Sequence, residues 1–240
     1  MHVIIDIPPD HAGTSRRFWA DVLGWPEGET WSGQPSLRSF EPPDGDAYVH
    51  QQVGDHGPQI HLDLEVADVA RETKRLRGLG AVVGDRTSQW QVLESPGGLP
   101  FCLLECRPRT QPGPVGWAGH RSRLVQVCID SPPDRHNVEV RFWRAATQGR
   151  WASGDTPEFA GKLYPADGPV QLLLQRLGPE TSGPTRAHID IGTDDIDAEV
   201  ARAVGLGAER LWPGGGWYAL RDPTGLVFCV TGNSPEAAVR

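Results

Sequence analysis

The sequence predicts an α+β protein in which helices cover one face of mixed or mostly antiparallel sheets. Three observations predict it. Strand-like and helix-like segments follow the order β-α-β-β-β about four times along the 240 residues. The chain also repeats itself: His61-Leu62-Asp63-Leu64, Gly78-Leu79-Gly80-Ala81, Trp90 and Phe101-Cys102 return without a gap as His188-Ile189-Asp190-Ile191, Gly205-Leu206-Gly207-Ala208, Trp217 and Phe228-Cys229. A repeat of this length means that each copy folds as the same kind of unit. Finally, every helix-like segment follows the first strand of its half, so helices gather on one sheet face and the other is left to line a cavity.

The elements follow from local pattern. Val3 to Ile7 is β-branched and reads as a strand, broken by Pro8 and Pro9. Over residues 11 to 23, Phe18, Trp19, Val22 and Leu23 share one helical face as core, and Gly24 ends the helix. A strand-like piece near 36–41 follows. From Ile60 to Val66 the apolar Leu62, Leu64 and Val66 alternate with His61, Asp63 and Glu65, which gives one face to a helix and one to something polar. Asp68 is an N-cap, Val69, Thr73, Leu76 and Leu79 fall at helical spacing, and Gly80 closes the element. Strands near 81–84, 89–94 and 100–106 come next, with a turn at Ser95-Pro96-Gly97-Gly98. The second copy repeats this plan, with Phe142-Trp143 in its first helix, a strand-like piece near 160–164, Asp195 at the later cap and a turn at Asp222-Pro223-Thr224-Gly225. The chain therefore divides into a first domain at 1–107, a Pro- and Gly-rich linker at 108–120, a second domain at 121–233 and a polar tail at 234–240.

Bulk properties narrow the function. A formal charge of −8 argues against nucleic acid and anionic membrane as partners. No stretch reaches the roughly 20 apolar residues of a membrane span, and Met1-His2-Val3-Ile4-Ile5 lacks the pattern of a signal peptide. Cys102, Cys106, Cys128 and Cys229 form no CxxC pair and read as reduced thiols of a cytoplasmic protein, a monomer or homodimer whose partner is a small organic molecule. Phosphate-loop, dinucleotide-binding and nucleophile-elbow motifs are missing from the sequence.

The ordered set Phe18-Trp19-Ala20-Asp21-Val22-Leu23-Gly24-Trp25, His61-Leu62-Asp63-Leu64, Leu79-Gly80-Ala81, Pro96-x-Gly98 and Phe101-Cys102, met again in the second copy, resembles the vicinal oxygen chelate superfamily, in its glyoxalase/bleomycin resistance/dioxygenase branch. The resemblance implies two tandem domains, each a pair of βαβββ modules forming a curved half-barrel sheet with helices on its outer face. It also implies that metal-dependent members hold a divalent ion through the first strand of each module and the last strand, usually by His, His and Glu. On this chain those positions fall on His2 and Gln126, on His61 and His188, and on Cys102 and Cys229.

Both copies thus carry Cys where the resemblance implies Glu. Glu105, three residues past Cys102, should face the other way, and the second copy has Gly232 there. The candidate ligand-binding residues are His2, His61, Asp63, Trp90 and Cys102 in the first copy and Gln126, His188, Asp190, Trp217 and Cys229 in the second, with no catalytic role assigned. The lost carboxylate leads to the expectation of a chain without metal or other cofactor that sequesters or recognises an organic metabolite or antibiotic. One alternative is a metal-dependent lyase, isomerase or dioxygenase using His2, His61 and either Glu105 or Cys102. Another is a metal-free enzyme using His61 and Asp63, or His188 and Asp190, as an acid/base pair.

Overall fold

A computed structural model describes residues 1–166 and 168–236. The first copy contains β1 (His2–Ile7), a 3₁₀ turn (Pro9–His11), α1 (Ala12–Leu23), β2 (Glu27–Trp31), β3 (Gln34–Phe40) and β4 (Val49–Val53). It continues with β5 (Gln59–Val66), α2 (Val69–Gly78), β6 (Val82–Arg86), β7 (Trp90–Glu94) and β8 (Pro100–Glu105). A short β9 (Val115–Gly116) pairs with the start of β10 (Arg121–Ser131). Then come α3 (His136–Thr147), β11 (Arg150–Ser153), β12 (Phe159–Tyr164) and β13 (Gln171–Arg176). The last module is β14 (Arg186–Thr193), α4 (Ile196–Gly205), β15 (Glu209–Gly214), β16 (Trp217–Arg221) and β17 (Val227–Thr231). Four βαβββ modules are therefore present, as the repeat requires.

The modules form two mixed sheets, ordered β2-β3-β4-β1-β5-β8-β7-β6 and β11-β12-β13-β10-β14-β17-β16-β15. In each, the first and last strands of the later module run parallel: β5 beside β8, with Asp63 opposite Cys102, and β14 beside β17, with Asp190 opposite Cys229. A parallel pair needs a crossover, which α2 and α4 provide. Asp68 and Asp195 cap those helices, their Oδ1 atoms accepting from Arg71 N at 2.9 Å and Ala198 N at 3.0 Å. Gly24 ends α1 in the left-handed region at φ 66°, and a Cβ there would meet the Trp117 ring at 2.7 Å, so only glycine fits.

The chain clusters into two compact units, each combining one module from each copy. The first holds Met1–Val3, His61–Pro108 and Val127–Ala187. In it Phe101 of β8 packs on Phe142 and Trp143 of α3, with ring centroids 5.8 and 5.4 Å apart. The second holds Ile4–Ile60, Arg109–Gln126 and His188–Arg240. There Phe228 of β17 packs on Phe18 and Trp19 of α1 at 5.8 and 5.1 Å. Phe18-Trp19 and Phe142-Trp143 are core residues, as their helical spacing predicts.

The proline-rich connection is tied down rather than loose. Asp46 accepts from Thr110 N at 2.7 Å and Asp44 from Gly113 N at 3.2 Å. The tail expected at 234–240 is likewise anchored as far as Glu236: Arg123 donates to Pro235 O at 2.8 Å, and Arg121 pairs with Glu236 at 2.6 Å. Residues 237–240 lie outside the described residues. Among the described residues, no helix is long and apolar enough to cross a membrane, and none of the four cysteines forms a disulfide.

Candidate functional site

Strand alternation positions the site. On β5 the apolar Ile60, Leu62 and Leu64 are buried, while His61, Asp63 and Glu65 point to the other face. The ladder then adds β8 and β7. Asp63 lies opposite Cys102, Cys102 opposite Val92, and Trp90 opposite Leu104, so Trp90 and Cys102 share the face of His61 and Asp63. The second copy is built alike, with Asp190 opposite Cys229, Cys229 opposite Ala219, and Trp217 opposite Thr231.

In the first unit His61, Asp63 and Cys102 bring one nitrogen, one oxygen and one sulfur to within 4.8 Å of one another. In the second, His188, Asp190 and Cys229 do the same. His61 Nε2 lies 3.4 Å from Asp63 Oδ1, and His188 Nε2 lies 3.3 Å from Asp190 Oδ1 and 3.5 Å from Cys229 Sγ. Both Asp63 Oδ1 and Asp190 Oδ1 are buried, and apart from these imidazole contacts neither makes a hydrogen bond among the described residues. The other oxygen of Asp190 accepts from Gln126 Nε2, which fixes the carboxylate. Burial pushes the Cys102 thiol up to about 11, with Asp63 adding to the rise and His61 opposing it. On its own, then, Cys102 is a neutral thiol at pH 7 and no nucleophile.

The structure treats the remaining candidates differently. His2 is not a member of the first triad; its Nε2 lies 3.3 Å from Glu65 Oε1, and Glu65 also holds the Met1 nitrogen at 2.7 Å. Trp217 lies so close over Gly214 that a Cβ there would meet its indole at 2.0 Å. Glu105 pairs with Val66, one register step away from the site face, and is exposed. Glu65 is the polar neighbour that the sequence displays but that motif matching passes over; its signal is the unbroken alternation His61, Asp63, Glu65.

The expectation of a chain without a cofactor does not stand. It rested on Cys replacing Glu on the last strand, but the parallel ladder sets an aspartate directly beside each of those cysteines. A carboxylate is therefore present in each group, supplied by the neighbouring strand. The donor set fits a divalent ion. With bonds of about 2.0–2.3 Å, tetrahedral geometry spaces nitrogen and oxygen donors about 3.4 Å apart and nitrogen and sulfur about 3.6 Å apart. The second triad shows 3.3 and 3.5 Å.

Fold and site together define a two-domain protein of the vicinal oxygen chelate kind. The glyoxalase-like domain family matches residues 2–104 and 126–231, and the chain belongs to that family. Among solved structures it is similar to the Mn(II)-bound glyoxalase from Novosphingobium aromaticivorans, at 17% identity and TM-score 0.67 over 96% of this chain and 80% of that one. It is similar to a variant of 4-hydroxymandelate synthase from Streptomyces coelicolor, at 16% identity and TM-score 0.65 over 100% and 93%. It also resembles homoprotocatechuate 2,3-dioxygenase from Brevibacterium fuscum, at 14% identity and TM-score 0.63 over 97% and 79%. At these identities the likeness is one of fold. No curated protein matches the chain by sequence.

Proposed function

We propose that this protein is a divalent-metal-dependent enzyme of the glyoxalase-like kind, acting on a small organic molecule that presents two neighbouring oxygen atoms. One observation carries this reading. An equivalent His, Asp and Cys triad occurs in each copy, each time with a buried aspartate oxygen that faces only the imidazole and thiol of its own triad. Nitrogen, oxygen and sulfur donors converging at these spacings, with the carboxylate oxygen held only by a long imidazole contact, suit a cation between them. A bound divalent ion would hold the two substrate oxygens and stabilise negative charge developing on them.

The chain's own residues do the rest. Three protein donors per triad leave positions open for substrate, as at catalytic rather than structural ion sites. Gln126 orients Asp190 by holding its second oxygen. Trp90 and Trp217 stand on the site face and offer apolar surface beside the triads. The name of the Novosphingobium protein, a Mn(II)-bound glyoxalase, supports the general reading, since it shows that this fold can hold such an ion.

Elemental analysis of protein purified without chelator tests the proposal. A transition metal in stoichiometric amount, reduced in His61→Ala and His188→Ala variants, is the expected result. Turnover of compounds with adjacent oxygen donors should fall with the metal content. Folded protein that takes up no metal under any loading condition would overturn the reading.

A further inference from the structure

We infer that the chain binds two divalent ions, one at each triad, each through a cysteine thiolate, and that it prefers a thiophilic ion such as zinc or cobalt over manganese. This rests on the metal-dependent reading above and goes further, to the ligand atoms, the stoichiometry and the choice of ion.

The duplication is chemical as well as architectural. Both triads draw His and Asp from the first strand of the later module, two residues apart, and Cys from the last strand, paired in parallel with the Asp. The imidazole–carboxylate spacings agree, at 3.4 and 3.3 Å. In both, the aspartate oxygen facing the imidazole is buried and makes no other hydrogen bond, and the Asp190 side chain is only 3% exposed. All three donor types are thus kept at matching positions and spacings in both copies. The cysteines are buried, at 9% and 7% exposure, and their sulfurs belong to the donor groups.

The donor types decide the ion. Thiolate is a soft ligand that suits zinc and cobalt, whereas carboxylate, carbonyl and water suit manganese and magnesium. A His, Asp and Cys set is therefore biased away from manganese. Binding replaces the S–H bond with a sulfur–metal bond and releases the thiol proton to water, with no change of oxidation state.

Cobalt(II) titrated into the metal-depleted full chain tests this. The expected result is a sulfur-to-cobalt charge-transfer band in the near ultraviolet that reaches a plateau at two equivalents. Cys102→Ser and Cys229→Ser should each remove half of its amplitude, the double variant all of it, and Cys106→Ser at the exposed cysteine none. Manganese(II) should displace cobalt only in large excess. Should a serine variant fail to fold, the intensity of the band per bound cobalt in the unaltered chain, expected to match one thiolate at each ion, reads the same contact. Ion binding without the band overturns the thiolate ligand and leaves the metal-dependent reading in place. A plateau at one equivalent overturns the duplication, and equal competition by manganese overturns the preference. Binding of no ion overturns both this inference and the reading beneath it.

Discussion

One buried carboxylate serves each compact unit, but from different positions. In the second unit Asp222 accepts from Trp19 Nε1 at 3.0 Å and from Thr224 N and Leu226 N at 2.8 and 2.9 Å, tying helix α1 to the turn before β17. In the first unit the residue equivalent to Asp222 is Ser95, and Glu139 stands where the other copy has Ser15. Glu139 takes over both tasks, accepting from Trp143 Nε1 at 2.8 Å and from Gly97 N at 2.6 Å. The charge has moved from turn to helix and keeps the bonds to the tryptophan and to the first turn amide, while Leu99 N, the equivalent of Leu226 N, donates to Ser95 Oγ at 3.0 Å. Glu139→Ala strands both donors and should cost about 1–3 kcal/mol in denaturant unfolding. The pair Glu139→Ser with Ser95→Asp rebuilds the other unit's arrangement, and should recover a large part of the stability lost by Glu139→Ser alone. Burial also raises the Glu139 carboxyl above its ordinary 4.5, against the opposing effect of its hydrogen bonds. The folded state then holds that proton more tightly than the unfolded chain does. Its contribution is full below pH 4.5 and is lost as pH rises through the raised value. The gap in stability between the protein and Glu139→Ala should therefore narrow with rising pH across that window; a gap that widens would contradict this sign.

At the scale of elements, each unit uses an arginine to finish a helix. The last carbonyls of a helix lack partners within it. Arg75 of α2, held by Glu72, donates to Ala145 O and Ala146 O at the end of α3, both at 2.8 Å. Arg202 of α4, held by Glu199, donates to Asp21 O and Val22 O at the end of α1, at 2.8 and 2.7 Å. The surroundings differ. Arg202 also stacks 3.7 Å over Trp117, and Glu199 is fully buried with His120 2.8 Å away. Arg75 and Glu72 are more exposed. Removing one partner of a buried ion pair costs about 3–5 kcal/mol, whereas exposed pairs contribute about 1 kcal/mol or less. Arg202→Ala should accordingly destabilise by roughly 3 kcal/mol and Arg75→Ala by about 1 kcal/mol, compared by urea denaturation. Equal losses would mean that the shared carbonyl bonds dominate over the buried carboxylate.

At the scale of the whole molecule, each compact unit joins a module of one copy to a module of the other. Trp19 and Trp143 are fully buried against a phenylalanine that belongs to the opposite copy. A buried tryptophan removes about 150–250 Å² from water, so a copy expressed alone would expose a large apolar helix face. Residues 1–108 and 109–240 made separately should each lose the near-ultraviolet dichroism of packed tryptophan, and mixing them should restore it. A native-like spectrum and a cooperative melt from either piece alone would count against mutual dependence.

Much of this was legible in the chain. Alternation on residues 60–66 told which side chains leave the core, because side-chain direction along a strand is a local property with a period of two. The internal repeat disclosed four equivalent modules and singled out His61, Asp63, Cys102 and their counterparts for the same reason. Local pattern could not say which strands become neighbours. That Asp63 stands beside Cys102, and Asp190 beside Cys229, depends on a parallel pairing between segments nearly 40 residues apart. For this reason the sequence showed only that a carboxylate was missing from the last strand. Tertiary structure decided that the adjoining strand sets a carboxylate beside each cysteine, since ladder register is set by the packing of the whole sheet and not by the order of residues within one strand.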